Sequence, residues 1–246
     1  MQTFDQSASF YDAVYAARGK NYEIESEILW SHIMAQWSAE GPPRALLDVA
    51  CGTGEHLKWL QDQVPTLLGT DASAAMLDVA RTKLPHVTFL KQAMNNLHVE
   101  QSFDVVTCLF AAIGYVQDES TMRAAIGRMA DHLSSFGVLA IEPAVRPETV
   151  QPPTTSTMTV QLGASTIQRV TSGTLDRERN VLHVHFHYTI TPGDGSPSRT
   201  FQEEHPIQLF SDDCYRSALA DAGLTNIAFD ERGISGTGLY TARRAR

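Results

Sequence analysis

The run Leu47-Asp48-Val49-Ala50-Cys51-Gly52-Thr53-Gly54-Glu55-His56-Leu57 carries the strongest chemical signal in the chain. A short apolar segment ends, two glycines follow at alternate positions, and a helix-forming segment begins. Glycines at such a turn let the backbone approach a ligand closely, and the first turn of a helix presents N–H groups with no intrahelical partner. This suits a nucleotide at the carboxyl end of a parallel sheet, and the acid about twenty residues on that should meet a ribose is Asp71, closing Leu68-Gly69-Thr70-Asp71. A dinucleotide fingerprint needs a third glycine where Leu57 stands. Asp48 lies inside the strand, where it would repel a phosphate and favour a cationic, hydroxyl-rich ligand.

S-adenosylmethionine has a sulfonium, an ammonium, a ribose and no phosphate. Ala50, Gly52, Gly54 and Asp71 therefore predict that cofactor, against a plain strand–turn–helix with chance glycines. Three further residues stand where an acceptor would meet it. Tyr115 follows the fourth predicted strand and reads as an acceptor contact or as packing. Tyr11 could cover the transferable methyl and favour cations through its ring face, or belong to the core. Glu142 ends the fifth strand and could attract an ammonium or pair with an arginine. His183, His185 and His187 alternate, so they share one face of a strand. No acid or cysteine completes a site around them, and no metal is expected. Cys51 is a small loop residue, not a nucleophile.

The elements that must hold these residues follow from periodicity. Residues 8–38 read as helical, interrupted at Gly19 and ended by Gly41-Pro42-Pro43. Ala45–Ala50, Thr66–Thr70, Val87–Leu90, Phe103–Leu109 and Val138–Ile141 read as strands, and helices start near Gly54, Ser73 and Ser120. Alternation of this kind predicts a Rossmann-like, doubly wound α/β sheet. It stops near Pro143. Residues 145–210 are rich in Thr, Val and His with glycine turns, which predicts an inserted antiparallel β flap over the acceptor. A helix ending at Gly223 and two strands near Ile227 and Leu239 complete a seven-stranded sheet. Residues 1–246 are read as one domain, with 1–40 as N-terminal helices.

Of 246 residues, 28 are acidic and 19 basic, a net charge of −9. That sign argues against a nucleic-acid partner. The basic cluster Arg243-Arg244-Arg246 reads as a solvated tail. No stretch has the apolar length of a membrane span, the N-terminus is not a signal peptide, and three scattered cysteines suit a reducing compartment, so a cytoplasmic protein is expected.

Asp48-Val-Ala-Cys-Gly-Thr-Gly followed by Gly69-Thr-Asp-Ala-Ser resembles the glycine loop and ribose acid of class I S-adenosylmethionine methyltransferases. Phe10-Tyr11-Asp12, Arg18-Gly19-Lys20-Asn21-Tyr22, Gly114-Tyr115, Glu142-Pro143 with Pro147-Glu148, and Ser235-Gly236-Thr237-Gly238-Leu239 narrow this. They resemble the N,N-dimethyltransferases that act on nucleotide-linked amino sugars in macrolide antibiotic pathways. The resemblance spans nearly the whole chain. It implies cofactor contacts from Ala50, Gly52, Gly54, Asp71, Ala72 and Met76. It also implies Tyr11, Tyr22 and Lys20 near the methionine end, Met94 against the adenine and Leu109 beneath the cofactor. Gln92-Ala93-Met94 stands where the family has Gly-Asp-Met, and Thr3 or Phe4 where it has an acceptor-site aromatic. Tyr115 replaces a histidine, Ala144 and Val145 two tryptophans, and Thr237 a phosphate-binding arginine. These departures predict an acceptor without phosphate.

An amine needs only alignment, exclusion of water and a route for its proton. An N-methyltransferase of specialised metabolism, acting on a small-molecule amine such as an amino sugar, is the first reading. A small-molecule O-methyltransferase and an idle cofactor-binding module remain alternatives, and a homodimer stays open.

Overall fold

The computed structural model describes residues 4–245. Thr3 and Arg246 lie outside them. The expected long helical region divides into a 3-10 turn (Ala8–Phe10), α1 (Tyr11–Ala17) and α2 (Tyr22–Gln36). Gly19, at φ 80°, makes the break, and Asn21 caps α2 by accepting from the Ile24 N–H.

Strands and helices then alternate: β1 (Ala45–Val49), α3 (Glu55–Leu60), β2 (Thr66–Asp71), α4 (Ala74–Lys83), β3 (Thr88–Lys91), β4 (Phe103–Cys108), α5 (Glu119–Asp131) and β5 (Leu133–Ile141). The run closes with α6 (Asp212–Asp221), β10 (Leu224–Asp230) and β11 (Leu239–Arg244). The seven strands lie in the order β10-β11-β5-β4-β1-β2-β3, with only β10 and β11 antiparallel to their neighbours. Strand order reverses between β1 and β4, which opens a crevice at their carboxyl ends. β1 reads as a continuous apolar run because both its faces are buried. Leu46 packs into the layer of α2, α3 and α4 with Leu29, Leu57 and Leu77. Leu47 and Val49 pack into the layer of α5 and α6 with Ile126, Met129 and Leu219. α5 stops at Asp131, earlier than its periodicity suggests. β5 starts at once and carries a register shift near Phe136, at φ 66°.

The segment after Pro143 forms a separate four-stranded antiparallel meander: β6 (Ser156–Leu162), β7 (Ser165–Asp176), β8 (Val181–Thr191) and β9 (Arg199–Gln208). One face carries Val160, Ile167, Phe186 and Tyr188 and packs on Phe10 and Val14. His185 and His187 are exposed on the other face. His183 meets Glu204 there at 3.0 Å.

The N-terminal segment is pinned to both sheets. Ser7 donates its N–H and hydroxyl to Glu203 of β9. Asp5 accepts from the Ser73 hydroxyl at 2.9 Å, and Asp12 from Thr53 at 2.6 Å and Lys83 at 2.6 Å. Lys83 also holds Glu55. Of the basic cluster, Arg243 and Arg244 are not a solvated tail: Arg243 donates to the Gln36 carbonyl, and Arg244 to the carbonyls of Ala130, Asp131 and Leu133 at the C-terminal end of α5, where a cation is favoured.

Asp12→Ala removes two of these anchors. Because the ion pair is partly solvated, global stability should fall by only ~1 kcal/mol. Local opening should rise instead, so trypsin should cut at exposed Arg18 several-fold faster while Tm barely moves. Unchanged proteolysis would show that the anchors do not hold the segment.

Candidate active site

At the end of β1 the chain turns through left-handed conformations at Ala50 (φ 58°), Gly52 (φ 56°) and Gly54 (φ 77°). A Cβ built on Gly52 meets no heavy atom within 4 Å, so the space beside this backbone is open. Across it, Asp71 accepts from the Gly52 N–H at 2.9 Å and from the Ser73 N–H at 2.8 Å. Burial raises the Asp71 carboxyl above its ordinary value, against the pull of these N–H donors.

A cavity of about 630 Å³ begins here. Ala50, Gly52, Asp71, Ala72 and Met76 line one end, with Met94 and Leu109 beside them. Tyr11, Tyr15 and Arg18 of the N-terminal segment line it as well. Tyr115 and the inner face of the second sheet, through Val184, Phe186 and His205, complete its lining. Burial raises the phenols of Tyr11 and Tyr115 well above their ordinary range, so both stay neutral. Gly114 permits the approach of the Tyr115 turn to β9, since a Cβ there would lie 2.7 Å from Ile207 Cγ2 and 3.2 Å from the Gln208 carbonyl.

Four expected site residues stand apart from this lining. Gly54 faces the core, where a Cβ would touch Ala80, Leu84 and Phe89, so it serves helix–strand packing. Lys20 is committed to Glu25, with Nζ 2.9 and 2.7 Å from its two oxygens and 3.7 Å from the Phe110 ring centroid. Burial alone would raise the Glu25 carboxyl, but hydrogen bonds from His56 and Lys20 hold it below its ordinary value. Tyr22 packs edge-on against His56, at 5.0 Å. Glu142 is fully buried, accepting from the Phe110 N–H at 2.6 Å, from Thr237 at 3.1 Å and from Ser235. Its carboxylate braces two loops and does not face an acceptor.

Phe186 and His205 line the cavity but were not singled out from the sequence; Phe4, named there only as standing where the family has an acceptor-site aromatic, lines it as well. The alternation of β8 held the signal: the histidines take the outward positions and leave Val184, Phe186 and Tyr188 for the interior. On β9 the matching inward residues are Phe201, Glu203 and His205, opposite Tyr188, Phe186 and Val184.

The open glycine turn, a half-buried acid beside it and apolar Met76, Met94 and Leu109 fit an adenosyl group with a cationic tail. Residues 46–137 match the family described as a methyltransferase domain. The chain is 34% identical to the dTDP-3-amino-3,6-dideoxy-alpha-D-glucopyranose N,N-dimethyltransferase of Streptomyces fradiae, over 95% of its own length and 89% of the relative's. It belongs to the S-adenosylmethionine-dependent amino-sugar N,N-dimethyltransferase family. Two solved structures of methyltransferases agree with this assignment. DesVI of Streptomyces venezuelae superposes with a TM-score of 0.88 at 31% identity, covering 98% of this chain and 99% of that one. CalS10 of Micromonospora echinaspora, an amino pentose methyltransferase solved with S-adenosylmethionine bound, superposes with a TM-score of 0.83 at 31% identity, covering 96% of both chains. This dimethyltransferase-family chain thus has the Rossmann-like α/β fold expected of it and uses S-adenosylmethionine to methylate a small-molecule amine.

Behind the glycine turn, Asp48 accepts from the Thr107 hydroxyl at 2.7 Å. Burial pushes its carboxyl up to about 6, against the pull of His56 and of that hydroxyl. Between about pH 4 and 6 the folded apoprotein binds more protons here than the unfolded chain, so stability falls as pH rises through this window. Above it the full penalty applies. Asp48→Asn keeps an acceptor for Thr107 and removes the charge. It should stabilise the apoprotein by about 2–3 kcal/mol at pH 8, with the gain gone by pH 4. Thermal unfolding at the two pH values checks this; an equal shift at both would remove the charge as the cause.

Proposed function

We propose that this protein methylates the amine of an amino sugar, transferring two methyl groups in succession, with the second sheet serving as an acceptor flap. The observation that carries the reading is the single cavity running from Asp71 and the glycine turn to Tyr115 and the inner face of that sheet. S-adenosylmethionine supplies the methyl group. Ala50, Gly52, Ala72 and Met76 would hold its adenosyl part, Asp71 its ribose hydroxyls, Met94 and Leu109 its apolar faces. Tyr11 and Tyr115 would border the acceptor amine, and the rings of Phe4 and Phe186 give that end a low-polarity aromatic wall that favours an amine once it is neutral. The Streptomyces fradiae relative acts on a dTDP-linked amino sugar. The net charge of −9 supports a partner set without nucleic acid, and three free cysteines support a cytoplasmic location. Among the described residues no helix is long and apolar enough to cross a membrane.

Asp71→Ala should weaken S-adenosylmethionine binding by roughly 1.5–3 kcal/mol, because a charge-assisted ribose contact is lost. Calorimetry reads this directly, and unchanged affinity would take the acid out of the site.

The acceptor itself is tested by labelled methyl transfer to paired amines and alcohols, amino sugars included, where label appearing only on alcohols would sink the amine reading. A phosphate-free acceptor is favoured. Beside the cavity lies a cleft of about 730 Å³ sharing Tyr115, whose lining holds Arg179 together with the acids Asp118, Glu119 and Glu148. Thr237 is bonded to Glu142 and cannot provide the bidentate fork of an arginine. Thymidine diphosphate at millimolar concentration should therefore not compete with the acceptor. Inhibition in the micromolar range would restore the nucleotide-linked sugar.

A further inference from the structure

At the acceptor end of the cavity Tyr115 Oη lies 3.1 Å from His205 Nδ1. His205 is completely buried, yet its ring forms part of the cavity wall. Its Nε2 lies 3.4 Å from Glu203 Oε2, within ion-pair reach but without a well-formed hydrogen bond, and it has no other partner. Glu203 is buried too. It is held by Ser7, whose N–H meets one oxygen at 3.2 Å and whose hydroxyl meets the other at 2.9 Å. A packed interior has no use for such a row, since apolar residues of like volume fill a core at least as well. Here the row leads from a buried carboxylate, through an imidazole, to a hydroxyl at the cavity.

We propose that Tyr115, His205 and Glu203 form a proton relay that takes the ammonium proton of the acceptor. The proposal rests on the amine-methylation reading. The acceptor enters as an ammonium. One N–H bond breaks and its proton passes to Tyr115 Oη, while the Tyr115 hydroxyl proton passes to His205 Nδ1. The electron pair of the broken bond stays on nitrogen and makes it a nucleophile. Nitrogen then forms a bond to the methyl carbon as the carbon–sulfur bond breaks, its pair staying on sulfur. His205 becomes an imidazolium, matched by the Glu203 carboxylate, and returns the proton through Tyr115 once the product has left. Before transfer the relay requires Nδ1 unprotonated and Nε2 protonated, the tautomer that lets Tyr115 donate and aims an N–H at Glu203.

The surroundings suit a group that must gain a proton and lose it again. Phe4 covers the imidazole at 4.4 Å and Phe186 at 4.7 Å, ring centroid to ring centroid. The titratable and charged groups around the row are Glu203 on the imidazole's own strand, Tyr115 from the turn after β4, Tyr11 and Tyr15 from α1 and Tyr188 from β8, which interact electrostatically with Tyr115, and Arg169 from β7 beside the Phe186 ring. Arg169 is buried with its guanidinium 4.5 Å from the Phe186 ring centroid, the same ring that lies 4.7 Å from the imidazole. Tyr115 stays a neutral phenol, because burial raises it, and so it can donate and accept at once.

The test compares His205→Gln, Tyr115→Phe and Glu203→Gln with the parent protein in kcat against pH, using an aliphatic amine acceptor. At pH 7 the first two variants should lose about 100-fold in kcat. The deficit should close as pH nears the acceptor's own pKa, where neutral amine is delivered from solution. Calorimetric S-adenosylmethionine affinity within about twofold of the parent shows that each variant folds, and exposed His187→Gln serves as a control with parental kcat. A second readout needs no turnover: nitrogen NMR of the imidazoles should show His205 as the Nε2–H tautomer, with that preference weakened in Glu203→Gln. A deficit equal at pH 7 and pH 9.5, or an Nδ1–H tautomer, would reduce the row to packing and overturn the relay while amine methylation stands. A parent protein that methylates no amine at any pH would overturn both.

Discussion

The site depends on one constraint: the N-terminal segment must lie against two sheets at once. Its attachment is made by carboxylates at both ends of the cavity. Asp5 and Asp12 reach the α4 cap and the glycine loop, and Glu203 of the second sheet reaches back to Ser7. Between these anchors Phe10 and Val14 fill the inner face of the second sheet. The apolar contact supplies area, but it would tolerate sliding; the hydrogen bonds set the position. Only with the segment in place do Phe4, Tyr11 and Tyr15 become cavity lining. A single sheet with its glycine loop would hold one end of a ligand and leave the other in water.

A second tier of charge keeps the lining in place without entering it. Lys20, Glu25 and His56 neutralise one another behind the glycine turn, and Lys20 also lies over the Phe110 ring. Glu142 joins the Phe110 backbone to Ser235 and Thr237. Buried charges persist only when paired in this way. The family resemblance drew Lys20 toward the ligand and its place at the end of β5 drew Glu142, whereas their work is to fix the loops on which Leu109 and Tyr115 sit.

The legible part of the fold was the part governed by periodicity. Residues buried on both faces of β1, β2 and β4 read as strands, and Ser73, read as a helix start, does cap α4; the caps at Asn21, Asp118 and Ser211 appear only in the structure. Residues around the glycine turn and Asp71 were legible because the backbone there has few chemical options. The acceptor end was not. Lys20, Tyr22 and Glu142 carry the right chemistry near the right loop, and only three-dimensional pairing shows their valences spent. Phe186, Glu203 and His205 escaped notice for the opposite reason. Phe186 alternates with a more conspicuous histidine row, Glu203 and His205 sit opposite it on the next strand, and their partners lie far off in sequence, such as Ser7 for Glu203 and Tyr115 for His205.

The cavity's charges bear on how two cations can react there. A sulfonium and an ammonium about 4 Å apart repel by ~4 kcal/mol at the effective dielectric of a protein site. Asp71 is the one carboxylate among the described lining residues, and the opposite end offers phenols, phenyl rings and an imidazole. Nothing in that lining would hold an acceptor as its ammonium while the methyl donor is in place, now that Glu142 is known to face elsewhere. An acceptor amine must therefore shed its charge as it approaches, and a neutral aromatic wall favours that form over the charged one. Removing the proton both exposes the lone pair and abolishes the repulsion. The polar row behind Tyr115 thus lies where loss of charge by the acceptor contributes most to the reaction.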